Sequence, residues 1–101
     1  MIDEVRASAA KKILFLPHSI SQMSRPDRMI SVEDVEETII RGEVIEEYAD
    51  DPRGRSCLML HIPSGRPVHV VCAPKQDYLA IITAYLPHPE QWDSEFIQRK
   101  I

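Results

Sequence analysis

The chain has 101 residues, which suits one domain and is too short for two. Apolar residues make up 44% of it, enough for one hydrophobic core, and no run approaches the ~20 apolar residues that span a membrane. The formal net charge of −4 disfavours tight binding of RNA or DNA, because phosphate neutralisation needs a basic surface. The N-terminus is acidic and lacks the basic residues of an export signal, so we expect a cytoplasmic protein.

No motif in the sequence is typical of a metal or cofactor site. The four histidines have no short ligand spacing, and there is no glycine-rich phosphate loop. The two cysteines, Cys57 and Cys72, are too few for a disulfide scaffold and are expected as small apolar core residues. We therefore expect neither a metal nor a cofactor.

The first thirty residues predict one helix followed by an ambiguous stretch. An apolar stripe indicates a helix over residues 2–12. The apolar run 13–16 is consistent with a strand or with an extension of that helix, and Pro17 is expected to stop it. Within residues 18–30, Ser19 is a candidate cap for a short helix.

The best-specified element is a helix over residues 31–41. Ser31 stands where an N-cap belongs, and Asp34, three residues later, can reach back to form a capping box. Gly42 is a typical helix terminator. Both ends of this helix can therefore be predicted from local chemistry.

After Gly42 the hydrophobic pattern is that of strands. Four segments are rich in β-branched, aromatic and aliphatic residues, and turn signals separate them. These segments are residues 43–49, 56–62, 67–73 and 78–86. Consecutive strands with short turns pair antiparallel as a meander. We expect one α+β domain over residues 1–101, with N-terminal helices packed on a four- to five-stranded antiparallel sheet.

The predicted sheet has two faces, and each face must be covered. The inner strands are apolar on both faces, so we expect helices on one face and a second subunit, as in a homodimer, on the other. Residues 89–101 are expected to form a C-terminal helix or tail that Trp92 anchors to the sheet.

The turn at Ser64 and Gly65 predicts the register of one hairpin. If these two residues alone form the loop, Cys57 faces Cys72 and Leu60 faces His69. His61 and His69 then point to opposite sides of the sheet. A loop one residue longer would place the two histidines directly opposite each other. The two-residue loop is the commoner type, so a paired-histidine site is not expected.

Five polar residues within or next to these segments form the candidate catalytic site. They are His18, Arg28, His69, Thr83 and Tyr85. Thr83 and Tyr85 lie two apart on one strand and project from the same face. A histidine suits deprotonation of an RNA 2′-hydroxyl, and an arginine suits stabilisation of the charged phosphorane. The group therefore fits metal-independent RNA cleavage. The alternatives are that His69 is a hydrogen-bonded core residue and that Thr83 and Tyr85 are ordinary strand residues. His18 would then cap a helix, and Arg28 would be solvated or paired with the acidic helix 33–37.

Several stretches, taken in order, resemble the bacterial domain-of-unknown-function family 4258. The stretches that carry the resemblance are Ile30–Glu36, Gly42–Tyr48, Ser56–Leu60, Gly65–Val71, Ile81–Pro87 and the closing Trp92. The chain departs from the family pattern at Gln22, where the family tends to have arginine, and at Met29, where it tends to have glycine.

The resemblance implies a fold similar to the small ribonuclease toxins of toxin–antitoxin pairs. It also implies an antitoxin-like protein partner, because members are often encoded beside one. Two functions follow for this chain. One is a toxin-like, metal-independent endoribonuclease, which would bind RNA weakly because the chain is acidic. The other is a non-catalytic interaction module that self-associates or binds an antitoxin-like partner.

Overall fold

A computed structural model describes residues 1–100, except for the side chain of Ser64. The helices and strands follow one another along the chain as α1 (Ile2–Lys11), β1 (Ile13–Phe15), α2 (Pro17–Met23), α3 (Val32–Arg41), β2 (Glu43–Tyr48), β3 (Ser56–His61), β4 (Val68–Pro74) and β5 (Leu79–Tyr85). A 3₁₀ turn, Pro63–Gly65, lies between β3 and β4. None of the helices within residues 1–100 is both long enough and apolar enough to cross a bilayer.

The five strands form one sheet in the order β1-β5-β4-β3-β2. Strands β2 to β5 are the expected antiparallel meander, and the predicted α+β class is confirmed. The run 13–16 proves to be a strand: β1 lies parallel to β5, with Phe15 opposite Ile81. The sheet is therefore mixed, because β1 joins the far edge of the meander instead of extending α1.

Helix α2 starts earlier than the sequence indicated. Pro17 ends the apolar run, as expected, and it also takes the first helical position, where its missing N–H costs nothing and its fixed φ suits the helix. Ser19 lies inside the helix, and its hydroxyl donates to the carbonyl of Leu16 at 2.6 Å. The expectation that Ser19 caps this helix is wrong; Leu16 occupies the cap position.

Helix α3 has the predicted capping box. The amide of Asp34 donates to the Ser31 hydroxyl, and the amide of Ser31 donates to the Asp34 carboxylate, both at 3.0 Å. Gly42 ends the helix in an extended conformation with φ −79°. A Cβ atom there would lie 2.4 Å from the carbonyl oxygen of Thr38 and 2.6 Å from that of Leu60. Glycine is required because the backbones of α3 and β3 meet at this point.

The register of the β3–β4 hairpin is as predicted, although its loop is not. Cys57 pairs with Cys72, Leu60 with His69, and the last pair is His61 with Val68. The loop therefore runs over residues 62–67 and contains the 3₁₀ turn. The longer loop takes two residues from each strand, so the register is unchanged and His61 and His69 lie on opposite faces.

Each face of the sheet has its own cover. On one face, α1 and α3 pack their buried residues against the strands and form the main core, which includes Val5, Val35, Ile39, Met59, Val70 and Ile81. On the other face, the buried Trp92 lies beside His69, so residues from the C-terminal segment cover that region. Residues 89–100 contain no α-helix. Of the two predicted alternatives, a C-terminal helix or a tail, the structure has the tail. Part of the face expected to meet a second subunit is thus covered by the chain itself.

The close approach at Gly42 can be tested by substitution. Gly42→Ala should lower the free energy of unfolding by about 3 kcal/mol, because the new methyl group meets backbone oxygens that cannot rotate away. Gly65→Ala is the matched control: its φ is +80°, but nothing lies within 4 Å, so only the backbone cost of about 1 kcal/mol applies. Urea denaturation measures both, and an equal loss in the two variants would contradict the explanation.

Candidate functional site

His69, the second residue of β4, is completely buried and makes two hydrogen bonds. Nε2 lies 2.9 Å from the carbonyl oxygen of Phe96, and Nδ1 lies 3.2 Å from the hydroxyl of Tyr85. A carbonyl only accepts, so Nε2 must carry the proton, and Nδ1 then accepts from the tyrosine. Burial lowers the pKa of His69 below its ordinary value. The imidazole is therefore neutral at neutral pH, with its free lone pair directed at Tyr85.

The C-terminal segment holds this histidine in place. The ring of Trp92 stands perpendicular to the imidazole, with centroids 4.5 Å apart. The Arg99 guanidinium lies over the Trp92 indole, 4.7 Å from its centroid. It also donates two hydrogen bonds to the Glu46 carboxylate, at 2.9 and 3.1 Å. Phe96, between them, has a positive φ of 62°, which side-chain-bearing residues rarely adopt. The segment is thus fixed at Trp92, Phe96 and Arg99.

Glu46 supplies a negative charge close to this group. Burial alone would raise the pKa of Glu46, but hydrogen bonds from Arg99 and Tyr48 lower it overall, so the carboxylate stays ionised. The Tyr48 hydroxyl donates to it at 2.6 Å, and burial together with this bond raises the pKa of Tyr48 to about 12. The carboxylate also favours a positive charge on His69.

Tyr85 connects the buried histidine to an open cleft of about 430 Å³, within the usual range for small-ligand sites. The residues that line this cleft are Asp27, Arg28, Tyr85, Leu86, Pro87, His88, Pro89 and Gln91. Burial raises the pKa of Tyr85, so the phenol is protonated at neutral pH. The cleft therefore presents a guanidinium, a phenol and an imidazole to one space.

Arg66 fixes the loop that carries Arg28. Its guanidinium donates to the carbonyl oxygens of Arg28 at 2.7 Å and Met29 at 3.3 Å, and to the Asp34 carboxylate at 3.1 Å. The same Asp34 oxygen accepts from the amide of Ser31 in the capping box. The position of Arg28 is thus tied to the start of α3.

The structure brings together three of the five predicted site residues. Arg28 and Tyr85 line the cleft, and His69 lies directly behind Tyr85. Thr83 projects from the same face as Tyr85 but pairs across to Val71, and it does not line the cleft. His18 lies exposed on the first turn of α2 and does not line it either.

Sequence reasoning missed His88 as a member of this group. It follows β5 three residues after Tyr85, and its Nδ1 accepts from the amide of Glu90 at 3.1 Å. The neutral ring must then carry its proton on Nε2, where it can donate. The short spacing from Tyr85 could have indicated that His88 lies near the site, but it is the turn after β5 that places the His88 imidazole at the cleft. Within residues 1–100, no group of three histidine, cysteine or carboxylate side chains could hold a metal ion.

The neutral state of His69 has a measurable consequence for stability. The unfolded chain binds a proton near pH 6.5 that the folded chain excludes, so stability should fall as the pH falls. Below about pH 6.5, the free energy of unfolding should drop by up to about 1.4 kcal/mol per pH unit until the pH reaches the lowered pKa of His69. His69→Gln keeps a donor for Phe96 and should flatten the profile. Denaturant titrations at several pH values measure this, with His61→Gln as control; parallel profiles for His69→Gln and wild type would contradict it.

Met29 allows a second test, because its φ of +50° lies in the left-handed region. Met29→Gly should raise the free energy of unfolding by about 1 kcal/mol, since glycine adopts this conformation without the Cβ penalty. Met29→Ala removes the same side chain, which is 73% exposed, but keeps the Cβ atom, and should leave stability unchanged. Thermal unfolding distinguishes the two; equal melting temperatures would show that the backbone is unstrained.

Comparisons with known proteins place the chain in a family whose description states no function. None of the curated proteins and none of the solved structures that were compared matches it. A sequence model of one family matches residues 15–86, which include His69 and Tyr85 but not the C-terminal segment or His88. Since this match covers more than half of the chain, the protein belongs to the family described as Domain of unknown function (DUF4258).

Proposed function

We propose that the protein is a metal-independent endoribonuclease, toxin-like in its chemistry, which cleaves RNA in the cleft beside Tyr85. One observation carries the proposal: the Tyr85 hydroxyl lies between an open cleft and the buried, neutral His69, and it donates a hydrogen bond to the lone pair on Nδ1 of that histidine. A neutral imidazole with a lone pair available is what general-base catalysis at neutral pH requires.

The base acts through the tyrosine. The RNA 2′-hydroxyl gives its proton to the Tyr85 oxygen while Tyr85 gives its own proton to Nδ1 of His69. Tyr85 never ionises in this relay, which agrees with its raised pKa. The imidazolium that forms is favoured by the nearby Glu46 carboxylate. The 2′ oxygen attacks the phosphorus, and the bond from phosphorus to the 5′ oxygen breaks as water protonates that oxygen. The hydroxide left by the water takes back, through Tyr85, the proton that His69 received, and the product is a 2′,3′-cyclic phosphate.

The cleft also supplies donors for the charge that develops on the phosphate. Arg28 stabilises the phosphorane, and Nε2–H of His88 donates a hydrogen bond to it. Asp27 is the carboxylate that lines the cleft, and it forms an ion pair with Arg25 at 3.3 Å. Binding should be weak and should need low salt, because the chain as a whole is acidic and Arg28 is the one arginine or lysine among the residues that line the cleft.

RNA cleavage in EDTA tests the proposal directly. At low salt, wild-type protein should cleave a fluorogenic RNA oligonucleotide and leave a cyclic phosphate that mass spectrometry detects. Tyr85→Phe and His69→Gln should each lose about 10²-fold or more in rate, and Arg28→Ala a similar amount. His61→Ala is the matched control on the opposite face, and it should keep full activity. A substrate with a 2′-deoxy nucleotide at the cut should resist cleavage.

The same assay assigns the two remaining candidates. His18→Ala and Thr83→Val should stay within about threefold of wild type, because neither residue lines the cleft. If folded wild-type protein leaves every RNA tested intact in EDTA at low salt, the ribonuclease proposal is wrong.

A second function, a non-catalytic interaction module, is favoured by the complete burial of His69 and by the bond from its Nε2 to the main chain. Induced expression in a bacterial host separates the two. A ribonuclease should arrest growth as wild type and not as Tyr85→Phe, and co-expression of an antitoxin-like partner should relieve the arrest. A module should leave growth unaffected in every strain.

A further inference from the structure

Strand β1 leaves one edge of the sheet open. It lies at the end of the strand order and, among residues 1–100, pairs only with β5. The carbonyl of Lys12 accepts from the amide of Leu79 at 2.8 Å, and the amide of Leu16 donates to Ile81 at 3.2 Å. Alternate residues of a strand bond to the same neighbour, so the peptide groups of Ile13 and Phe15 point away from the sheet. An extended chain can form hydrogen bonds to them.

An apolar groove lies beside this open edge, on the side of the sheet that the helices cover. It has a volume of about 280 Å³ and is lined by Arg6, Ala9, Ala10, Ile13, Ile39 and Ile40. Ile40 is 66% exposed, although it is a large aliphatic residue. Ile13 belongs both to the open edge and to the groove, and it packs on the helix side of the sheet. A strand added at the edge would therefore direct every second side chain into the groove.

We infer that β1 and this groove bind an extended segment of a partner protein in which apolar and acidic residues alternate. Alternation is required because one side chain in two meets the groove while the next faces outward. The acidic character follows from charge: Arg6, Lys11 and Lys12 are the charged residues of positions 5–13, and all are basic, although the chain carries a net charge of −4. Arg6 is itself part of the groove wall.

A second copy of the chain is a poorer occupant. The matching element would be another β1 of three residues, which could form few hydrogen bonds and bury little area compared with the 1,200–2,000 Å² or so of a stable interface. It would also bring Arg6 and Lys12 of both copies together. A longer acidic strand satisfies the open edge without this repulsion. The inference does not depend on the ribonuclease activity, since the groove and the cleft share no lining residue.

A designed peptide of twelve residues with alternating valine and glutamate serves as the probe. In NMR titrations with ¹⁵N-labelled full-length protein, the amides of Ile13 and Phe15 should shift and become protected from hydrogen exchange. Ile40→Asp should weaken binding at least tenfold, because it places a charge in the groove. Ile62→Asp is the matched control: Ile62 is 45% exposed and lies after β3, so binding should be unchanged.

Three results would overturn the inference. The first is a peptide of alternating valine and lysine that binds as tightly as the glutamate peptide. The second is a set of shifts that falls on β2, the other edge strand, or on no strand. The third is a dimer of the protein alone, seen by sedimentation and abolished by Ile40→Asp, which would assign the groove to self-association. RNA cleavage by Ile40→Asp should remain at the wild-type rate, so failure of this inference and failure of the ribonuclease proposal are distinguishable.

Discussion

The hydrogen bond from Nε2 of His69 to the carbonyl of Phe96 fixes the chemistry of the whole sheet face. It places the ring proton on Nε2, and this leaves Nδ1 as an acceptor that only the Tyr85 hydroxyl meets. A buried imidazole with an unpaired nitrogen would cost about 1–3 kcal/mol, so both partners are needed for the histidine to stay in the core. The tautomer of His69, the direction of the Tyr85 hydroxyl and the anchoring of the C-terminal segment therefore depend on one another.

That arrangement also explains why an unfavourable backbone conformation is retained at Phe96. A positive φ costs about 1–3 kcal/mol for a residue with a side chain. The cost is offset because this conformation presents the carbonyl to His69 while Trp92 packs against the same ring and Arg99 reaches Glu46. The C-terminal segment lies outside the residues that the family model matches, yet it determines the protonation of a histidine inside them.

How much the sequence predicted depended on the range of the interactions involved. Helix α3 was predicted with its cap, because Ser31 and Asp34 are three residues apart and their bonds are local. The β3–β4 register was predicted although the loop was wrong, because the real loop is centred on the same two residues as the predicted one and so leaves every partner unchanged. Pro17 was correctly expected to end the apolar run, but its place as the first residue of α2 was not predicted, because proline can both end and begin a helix.

The candidate site was harder to predict, because its decisive contacts join distant parts of the chain. His69 and Phe96 are 27 positions apart, and Arg66 reaches back 38 positions to the carbonyl of Arg28. No periodicity or local motif encodes such pairs. Residue type did identify Arg28, His69 and Tyr85, since burying polar groups among apolar strands is costly unless they are hydrogen-bonded or have a function. It placed His18 and Thr83 in the same group for the same reason, and their separation from the cleft follows from the path of α2 and from strand pairing.

Asp34 shows how the stability of the fold and the geometry of the cleft are coupled. One of its oxygens accepts from the amide of Ser31 and from Arg66, so a single carboxylate caps α3 and orients the guanidinium that holds the Arg28 loop. Loss of the carboxylate would therefore weaken the helix start and release Arg28 together. Met29, at which the resemblance implied a glycine, lies in the same loop, where Arg66 donates to the Met29 carbonyl and compensates for a strained residue. The loop is held in shape by the guanidinium of Arg66, which comes from a distant part of the sequence, and not by the backbone freedom that a glycine would give.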